Sequence, residues 1–267
     1  MKLRKLILCT LLFACSQTWA YNFFAYNSEY ESVLNISYGG IWLQDQYLSP
    51  LLYSGQQIGI QREWWSYFPK QDNWYWQHVG KIHLSVGMAY SELMNNLVYS
   101  GGVQGGWGAL HFWYIGQTGV NIFIGPFMNV DFMAKSHAVQ VNKPYSMDIG
   151  MDACVMGGIN WAFKIKETSF RLRYLAQANI IGVDYLPDYW QSYYEQTEGV
   201  LGQFRCSGMW NRRHLQHELT FDIQLKRSTW RIGLEHEYLE YGTKKMMFSR
   251  ETVSAIIGCI FWVRGSR

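Results

Sequence analysis

Apolar and polar residues alternate along most of this chain. In the segment Glu218–Tyr238, "ELTFDIQLKRSTWRIGLEHEY", Leu219, Phe221 and Ile223 fall on one side of a strand, and polar residues fall on the other. The alternation stops at "KRST" and then resumes, which predicts two strands joined by a tight turn. The pattern leaves open which face meets water. The apolar face is buried in a soluble sandwich, whereas it faces lipid in a membrane barrel.

The same pattern recurs often enough to predict about ten antiparallel strands in a single domain. They are Val33–Gln44, Gly55–Phe68, Trp74–Tyr90, Gly101–Ile115, Gly119–Met133, Met147–Ile165, Ser169–Val183, the two strands of the 218–238 hairpin, and Thr252–Val263. Eight strands remain possible if Val33–Gln44 is not part of the wall. Twelve are possible if Asp184–His214 holds another hairpin.

The connections between these strands alternate in length. The short ones are "PKQDN", "GQT", "KET" and "KRST", and the longer ones are Gln44–Ser54, Ser91–Ser100, Ala134–Ser146, Asp184–His214 and Tyr241–Glu251. Short turns on one side and long loops on the other are typical of a transmembrane β-barrel. We therefore expect an all-β fold, a single up-and-down antiparallel transmembrane barrel with both termini on the short-turn, periplasmic side.

The first twenty residues have the pattern of a secretory signal. Lys2, Arg4 and Lys5 precede the apolar run Leu6–Ala14, and "TWA" supplies small residues for cleavage after Ala20. The apolar run is too short to span a bilayer as a helix. We expect a cleaved signal peptide, 1–20, and a barrel domain, 21–267. An alternative is lipoprotein processing at Cys15.

Composition narrows the class of partner. The net charge of +3 comes entirely from the signal segment, so the mature chain is formally neutral, which argues against nucleic acid. Three widely spaced cysteines, Cys154, Cys206 and Cys259, do not make a disulfide framework. A secreted chain with 17% aromatic residues and no long apolar stretch predicts the outer membrane of a Gram-negative bacterium. Its expected partners are outer-membrane lipid and the barrel assembly machinery.

Aromatic residues cluster beside the short turns, which predicts an interfacial girdle. In a soluble sandwich the same residues would cap the core. They are Trp64, Trp65, Tyr67, Phe68, Trp74, Tyr75, Trp76, Phe112, Trp113, Tyr114, Trp161, Phe163, Phe170, Trp230, Phe261 and Trp262.

Several segments resemble a family of Gram-negative outer-membrane proteins catalogued as domain of unknown function 3316. The most specific are "QYLSPLLYSG" (Gln46–Gly55) and the "PDYWQSYYE" run that ends at Glu195. The resemblance covers nearly the whole mature chain and implies a small β-barrel without an established activity. One departure is the "VRGSR" that follows Phe261 and Trp262, because such barrels commonly end on an aromatic that the assembly machinery reads.

Charged residues fall on the face opposite the apolar one, and so are expected inside the barrel. There, opposite charges should pair and form a structural plug, since an unpaired buried charge is costly. The alternative is a narrow polar channel for small solutes. The residues are Glu63, Lys81, His83, Asp131, Asp152, Arg171, Arg173, Glu218, Asp222, Arg231, Glu235 and Glu237.

The sequence predicts no catalytic residue, metal ligand or cofactor. "CSGMWNRRH" (Cys206–His214) only weakly resembles the serine motif of barrel phospholipases, and the matching His-and-Asn segment is absent. His214 and His217 would point to opposite faces of a strand, which makes them poor joint metal ligands. A hydrolase or protease with its site at the loop mouth is kept as an alternative, with Asp184, Asp188, Glu195, Ser207 and His214 as the residues to test.

The best candidate for function is the loop that contains "DYLPDYWQSYYEQTEG". Exposed rings at this density suit binding of sugars, peptides or lipid headgroups. We therefore expect a non-catalytic barrel with a structural role, or one that binds an extracellular ligand or protein partner. Alternatively, these rings fold down and close the barrel mouth. The candidate residues are Asp184, Tyr185, Asp188, Tyr189, Trp190, Tyr193, Tyr194 and Glu195.

Overall fold

The computed structural model describes residues 29–67, 76–91, 96–115, 119–138, 145–166, 168–186, 203–225, 228–243 and 246–263. None of these residues belongs to a helix long and apolar enough to cross a membrane. The predicted signal peptide and Cys15 lie outside the described residues. The strands are β1 Glu29–Asp45, β2 Ser49–Tyr67, β3 Trp76–Ser91, β4 Asn96–Ile115, β5 Val120–His137, β6 Tyr145–Ile165, β7 Thr168–Leu186, β8 Gln203–Gly208, β9 Arg212–Gln224, β10 Thr229–Thr243 and β11 Met246–Val263.

The strands form a closed antiparallel ring. Every strand pairs with its neighbours in the chain, except that β8 and β9 do not pair with each other, and β1 pairs with β11 to close the ring. The two segments β8 and β9 share one position in the wall, because β7 pairs with β8 through Ile181–Leu186 and with β9 through Ser169–Ala178. The described strands therefore make a ten-stranded up-and-down barrel, as predicted.

Both alternative strand numbers are wrong. The segment Val33–Gln44 lies within β1, which pairs on both sides, so the wall does not close with eight strands. The described parts of Asp184–His214 extend β7 and form β8 and the start of β9. They lengthen two existing wall positions and do not insert a further hairpin.

The strands are longer than predicted at one end of the barrel. Most connections expected to be long are short: residues 46–48 separate β1 from β2, and residues 244–245 separate β10 from β11. Only the 187–202 connection between the described strands is longer than eight residues. The prediction failed because it ended each strand where the apolar alternation ended. Backbone pairing continues beyond that point, since the ladder needs only N–H and C=O groups.

We call the end that carries residues 29 and 263 the termini end, and the opposite end, from which residues 187–202 leave, the loop end. The start of β1 and the end of β11 lie together because the number of antiparallel strands in the wall is even.

The outward face is apolar along most of the wall. Side chains on it are about half exposed, including Ile58, Leu84, Val130, Met151, Leu234 and Ile257. Near the termini end, Trp113, Trp161 and Trp230 are exposed, and Phe163, Phe170 and Phe221 stack with ring centroids 5.5 and 5.6 Å apart. The polar side chains correspondingly face inward. This is the reverse of a soluble sandwich.

Two aromatics assigned to the girdle point inward instead. Trp65 and Phe112 are only 3% and 2% exposed. They pack inside the barrel in a cluster of Trp65, Val79, Leu110, Phe112, Phe123, Phe127, Cys154, Met156 and Leu175. Neighbouring aromatics on one strand cannot all belong to the girdle, because successive side chains point to opposite faces.

The turn before β5 depends on a glycine. Gly119 has φ of +73°, and an added Cβ would collide with the carbonyl oxygen of Ala162. We expect Gly119→Ala to lower the free energy of unfolding by about 1–2 kcal/mol, because L side chains disfavour this conformation. The matched control is Gly101→Ala, where an added Cβ meets nothing within 4 Å. Denaturant unfolding of the reconstituted barrel measures both. Equal effects would contradict this account of the turn.

Candidate functional site

The half of the interior nearer the termini end contains a continuous network of ion pairs. Arg231 is fully buried, and donates from Nε to Asp222 Oδ1 (2.7 Å) and from Nη1 to Glu63 Oε2 (3.2 Å). Arg171 lies between Glu31 and Asp222, with hydrogen bonds of 2.5–2.8 Å. We call this set the termini-end network. Its members are Glu31, Glu63, Lys81, Arg171, Arg173, Glu218, Asp222, Arg231 and Glu235.

Glu63 is the centre of this network. It accepts hydrogen bonds from Trp65 Nε1 (3.2 Å) and Gln61 Nε2 (2.5 Å), besides its ion pairs with Arg173 (3.0 Å) and Arg231. The Arg173 guanidinium also lies 4.7 Å from the centre of the Trp65 ring. Donors on several strands replace the water that this carboxylate loses on burial.

Several contacts cross the full width of the barrel. In the ring of ten wall positions, β2 lies opposite β7 and β3 lies opposite β9. Arg173 on β7 nevertheless reaches Glu63 on β2, and Lys81 on β3 comes within 3.6 Å of Glu218 on β9. Side chains from opposite walls therefore meet in the middle of the interior.

A second network lies nearer the loop end and includes Asp131, Asp152, Arg212, His214, Glu237 and Arg250. We call it the loop-end network. It too is joined across the barrel, because Gln104 on β4 donates a hydrogen bond to Glu237 on the opposite strand β10. Asn179 organises the start of β9 by donating to the Arg212 carbonyl (2.9 Å) and accepting from the His214 amide (2.8 Å).

Three residues of the loop-end network could in principle hold a metal ion. Oxygen or nitrogen atoms of Asp131, Asp152 and His214 lie within 4.8 Å of one another, and all three residues are buried. Arg212, however, donates from Nη2 to Asp131 (2.5 Å) and from Nε to both oxygens of Asp152 (3.0 Å). Its guanidinium already supplies positive charge to these carboxylates, so the arrangement is a complete ion-pair cluster.

A lysine pairs with two carboxylates close to the loop end. Lys135 is fully buried, forms ion pairs with Asp45 and Asp148, and lies 3.8 Å from the centre of the Phe248 ring. An apolar cluster surrounds it, and nearby Tyr53 shares a 2.9 Å hydrogen bond with His137. The cluster consists of Ile41, Leu43, Tyr53, Ala89, Val98, Met133, Leu239, Tyr241 and Phe248.

The twelve charged residues expected inside the barrel all lie on the inward face. Ten are buried with 5% exposure or less, and the side chains of Lys81 and Arg171 are 12% and 18% exposed. His83 has no ion pair among the described interactions. The sequence reasoning missed other interior charges because it placed them in loops or just beyond a strand end. These are Glu31, Asp45, Lys135, Arg212, His214 and Arg250.

The proposed binding loop is shorter than expected. Asp184 and Tyr185 belong to β7, and the buried Asp184 carboxylate accepts a 2.9 Å hydrogen bond from Arg205 on β8. Arg205 also donates to the Gly242 carbonyl of β10 (2.8 Å), and so ties β8 to the neighbouring wall. Asp184 is therefore a structural ion-pair residue. Asp188, Tyr189, Trp190, Tyr193, Tyr194 and Glu195 lie outside the described residues.

Comparison with known proteins assigns a family. A family model described as "Protein of unknown function (DUF3316)" matches residues 4–260. This chain belongs to the DUF3316 family. No curated protein sequence matches it significantly.

Among solved structures, the DUF3316 chain is similar to three outer-surface barrels. The transport unit of the autotransporter AIDA-I from Escherichia coli is 12% identical, with a TM-score of 0.41, and 92% of each chain is covered. The translocator domain of the autotransporter NalP from Neisseria meningitidis is 10% identical, with a TM-score of 0.35 and coverage of 97% and 96%. Neisserial surface protein A is 9% identical, with a TM-score of 0.33 and coverage of 86% and 97%. Likenesses at this level carry no information about activity.

The interior network of the DUF3316 protein predicts a large effect of breaking it. We expect Arg231→Met to lower the free energy of unfolding by about 3–5 kcal/mol, because Glu63 and Asp222 keep their burial and lose a partner. Arg213 is the matched control. Its side chain is 59% exposed and lies 3.5 Å from Glu240, so Arg213→Met should cost less than about 1 kcal/mol. Unfolding in lipid vesicles compares the two, and similar losses would contradict the assigned role of the interior pairs.

Proposed function

We propose that this DUF3316 protein is a closed outer-membrane barrel without catalytic activity. In this proposal, it serves as a structural element or binds a ligand or protein partner through its outer loops. The observation that carries the proposal is the set of side-chain contacts between opposite walls.

The outward face supports a membrane location. Large apolar side chains project from most of the described wall, and exposed tryptophans lie near the termini end. In water this surface would drive aggregation, whereas in a bilayer it matches the hydrocarbon. With the termini end in the periplasm, the 187–202 connection would face the outside of the cell.

The filled interior favours a closed barrel over a channel. Contacts between opposite strands include Arg173–Glu63, Lys81–Glu218, Gln104–Glu237 and Arg250–Met133. A solute passing through the middle of the interior would have to separate the opposite charges of Arg173–Glu63 and Lys81–Glu218. That costs several kcal/mol for each pair.

The arrangement of His214 argues against the hydrolase alternative. Its Nδ1 lies 3.4 Å from Asp152 Oδ2, and its Nε2 lies 3.0 Å from Glu237 Oε1. With both ring nitrogens engaged by carboxylates, the imidazole has no nitrogen available to activate the Ser207 hydroxyl. A general base must reach the group it deprotonates.

The paired ends of β7 and β8 suit the presentation of a binding loop. Leu186 pairs directly with Gln203, and the Asp184–Arg205 ion pair lies just inside this last pair. Residues 187–202 therefore leave from a hairpin that is held to the wall. This supports the proposed binding role of the aromatic segment they contain.

The closed interior predicts negligible conductance. Purified protein inserted into planar lipid bilayers should give single-channel currents close to the background, because ion pairs and apolar side chains fill the interior. A general porin reconstituted in the same way is the positive control. Reproducible conductance steps would overturn the closed-barrel proposal and favour the channel.

A membrane location predicts position-dependent effects on the outward face. Leu234 and Leu225 have similar exposures of 57% and 51%, but Leu225 directly follows the last residue of β9, at the termini end. In lipid vesicles, Leu234→Arg should lower the free energy of unfolding by about 2–4 kcal/mol, and Leu225→Arg by about 0–1 kcal/mol. Extraction only with detergent and heat-modifiable gel migration are expected of the wild type. Protein soluble without detergent would overturn the location.

A further inference from the structure

A row of polar side chains crosses the outward face of β7, β9, β10 and β11. The Tyr174 hydroxyl lies 2.9 Å from His217 Nδ1. His217 and His236 are direct partners on β9 and β10, and their rings are stacked with centroids 5.9 Å apart and planes 9° apart. At the other end of the row, His236 Nε2 lies 3.0 Å from Glu251 Oε1.

This row differs from the surface around it. His217 lies between Leu215 and Leu219 on its strand face, and Leu234 precedes His236 on the same face of β10. Towards the loop end, Arg213, Tyr238 and Glu240 form a polar patch joined by an Arg213–Glu240 ion pair. The histidine pair therefore lies at the border between the apolar face and polar surface, where an ion can reach it from the polar side. Ionisable groups at such a position are costly and usually have a function.

Each of these histidines has one ring nitrogen engaged and one available. His217 Nδ1 contacts Tyr174 and His236 Nε2 contacts Glu251, whereas His217 Nε2 and His236 Nδ1 have no hydrogen-bond partner among the described residues. A carboxylate or hydroxyl on the second nitrogen is the usual arrangement of a metal-binding histidine, because it orients the ring and selects the tautomer.

We propose that His217 Nε2 and His236 Nδ1 bind a divalent transition-metal ion on the outward face of the barrel. Imidazole nitrogen selects ions such as Zn²⁺, Cu²⁺ and Ni²⁺, whereas Ca²⁺ and Mg²⁺ require oxygen ligands. Because the two rings are parallel, the His217 ring turns to bring both nitrogens to the same ion. Water completes the coordination, while Glu251 keeps its contact with His236 Nε2.

This site is separate from the interior cluster of Asp131, Asp152 and His214. That cluster lies on the inward face and contains the Arg212 guanidinium. His217 and His214 are three residues apart on β9 and project to opposite sides of the wall. Substitutions can therefore distinguish the two sites.

The test is Zn²⁺ titration of the full, detergent-solubilised barrel by isothermal calorimetry. We expect saturable binding of one ion per barrel. His217→Gln and His236→Gln should each weaken it at least tenfold, and Glu251→Gln, which removes a supporting carboxylate, should weaken it about tenfold or more. With Cu²⁺ as the probe, the electron paramagnetic resonance spectrum should show coupling to two imidazole nitrogens in the wild type.

The matched control is His111→Gln. His111 also faces outward, but its cross-strand partners are Trp76 and Ile124, and neither of them is a histidine. This variant should bind Zn²⁺ as the wild type does. Heat-modifiable migration verifies that each variant is folded.

The absence of saturable binding, or binding that survives both His217→Gln and His236→Gln, would overturn the proposal. Loss of Zn²⁺ binding in His214→Gln, with binding kept in the other variants, would also overturn the proposal, because the ion would then lie in the interior.

Discussion

A charged side chain that leaves water loses several kcal/mol of solvation, and only opposite charges and hydrogen-bond donors can offset that loss. A ten-stranded ring is too narrow for its inward-facing side chains to stay apart. Arg231, fully buried between Glu63 and Asp222, shows the outcome. The long side chains of arginine and glutamate reach across the interior until they meet. Most side-chain contacts inside the barrel follow from this requirement.

The same constraint explains why the interior is divided into charged and apolar parts. The termini-end and loop-end networks connect strands on opposite sides of the ring, while Trp65, Phe112 and Phe123 fill space along the wall near the termini end. Trp65 also stabilises the charged groups, since its N–H donates to Glu63 and its ring lies against Arg173. Opening such an interior would separate buried ion pairs and leave their members without a partner. That cost is the physical basis for proposing that the barrel is closed to solutes.

Polar groups on the outward face are in a different position. Facing lipid does not stabilise them, and most side chains around His217 and His236 are apolar. Inside the barrel, His214 has both nitrogens bound to carboxylates, whereas each outward histidine retains a nitrogen without a partner. These available nitrogens are the basis of the metal site that we propose on the outward face.

The alternation of apolar and polar residues was sufficient to predict an all-β barrel of about ten strands and to place its twelve charged residues on the inward face. A strand period of two assigns faces directly, which is why Glu218, Asp222 and Arg231 were expected inside before any contact was known. The alternation could not predict which charges meet, because that depends on the register and tilt of strands far apart in the chain. The tertiary structure decided both these contacts and the strand ends. The ladder continues past the apolar band, and so Asp184 became part of a wall and His214 part of a buried network rather than members of a loop.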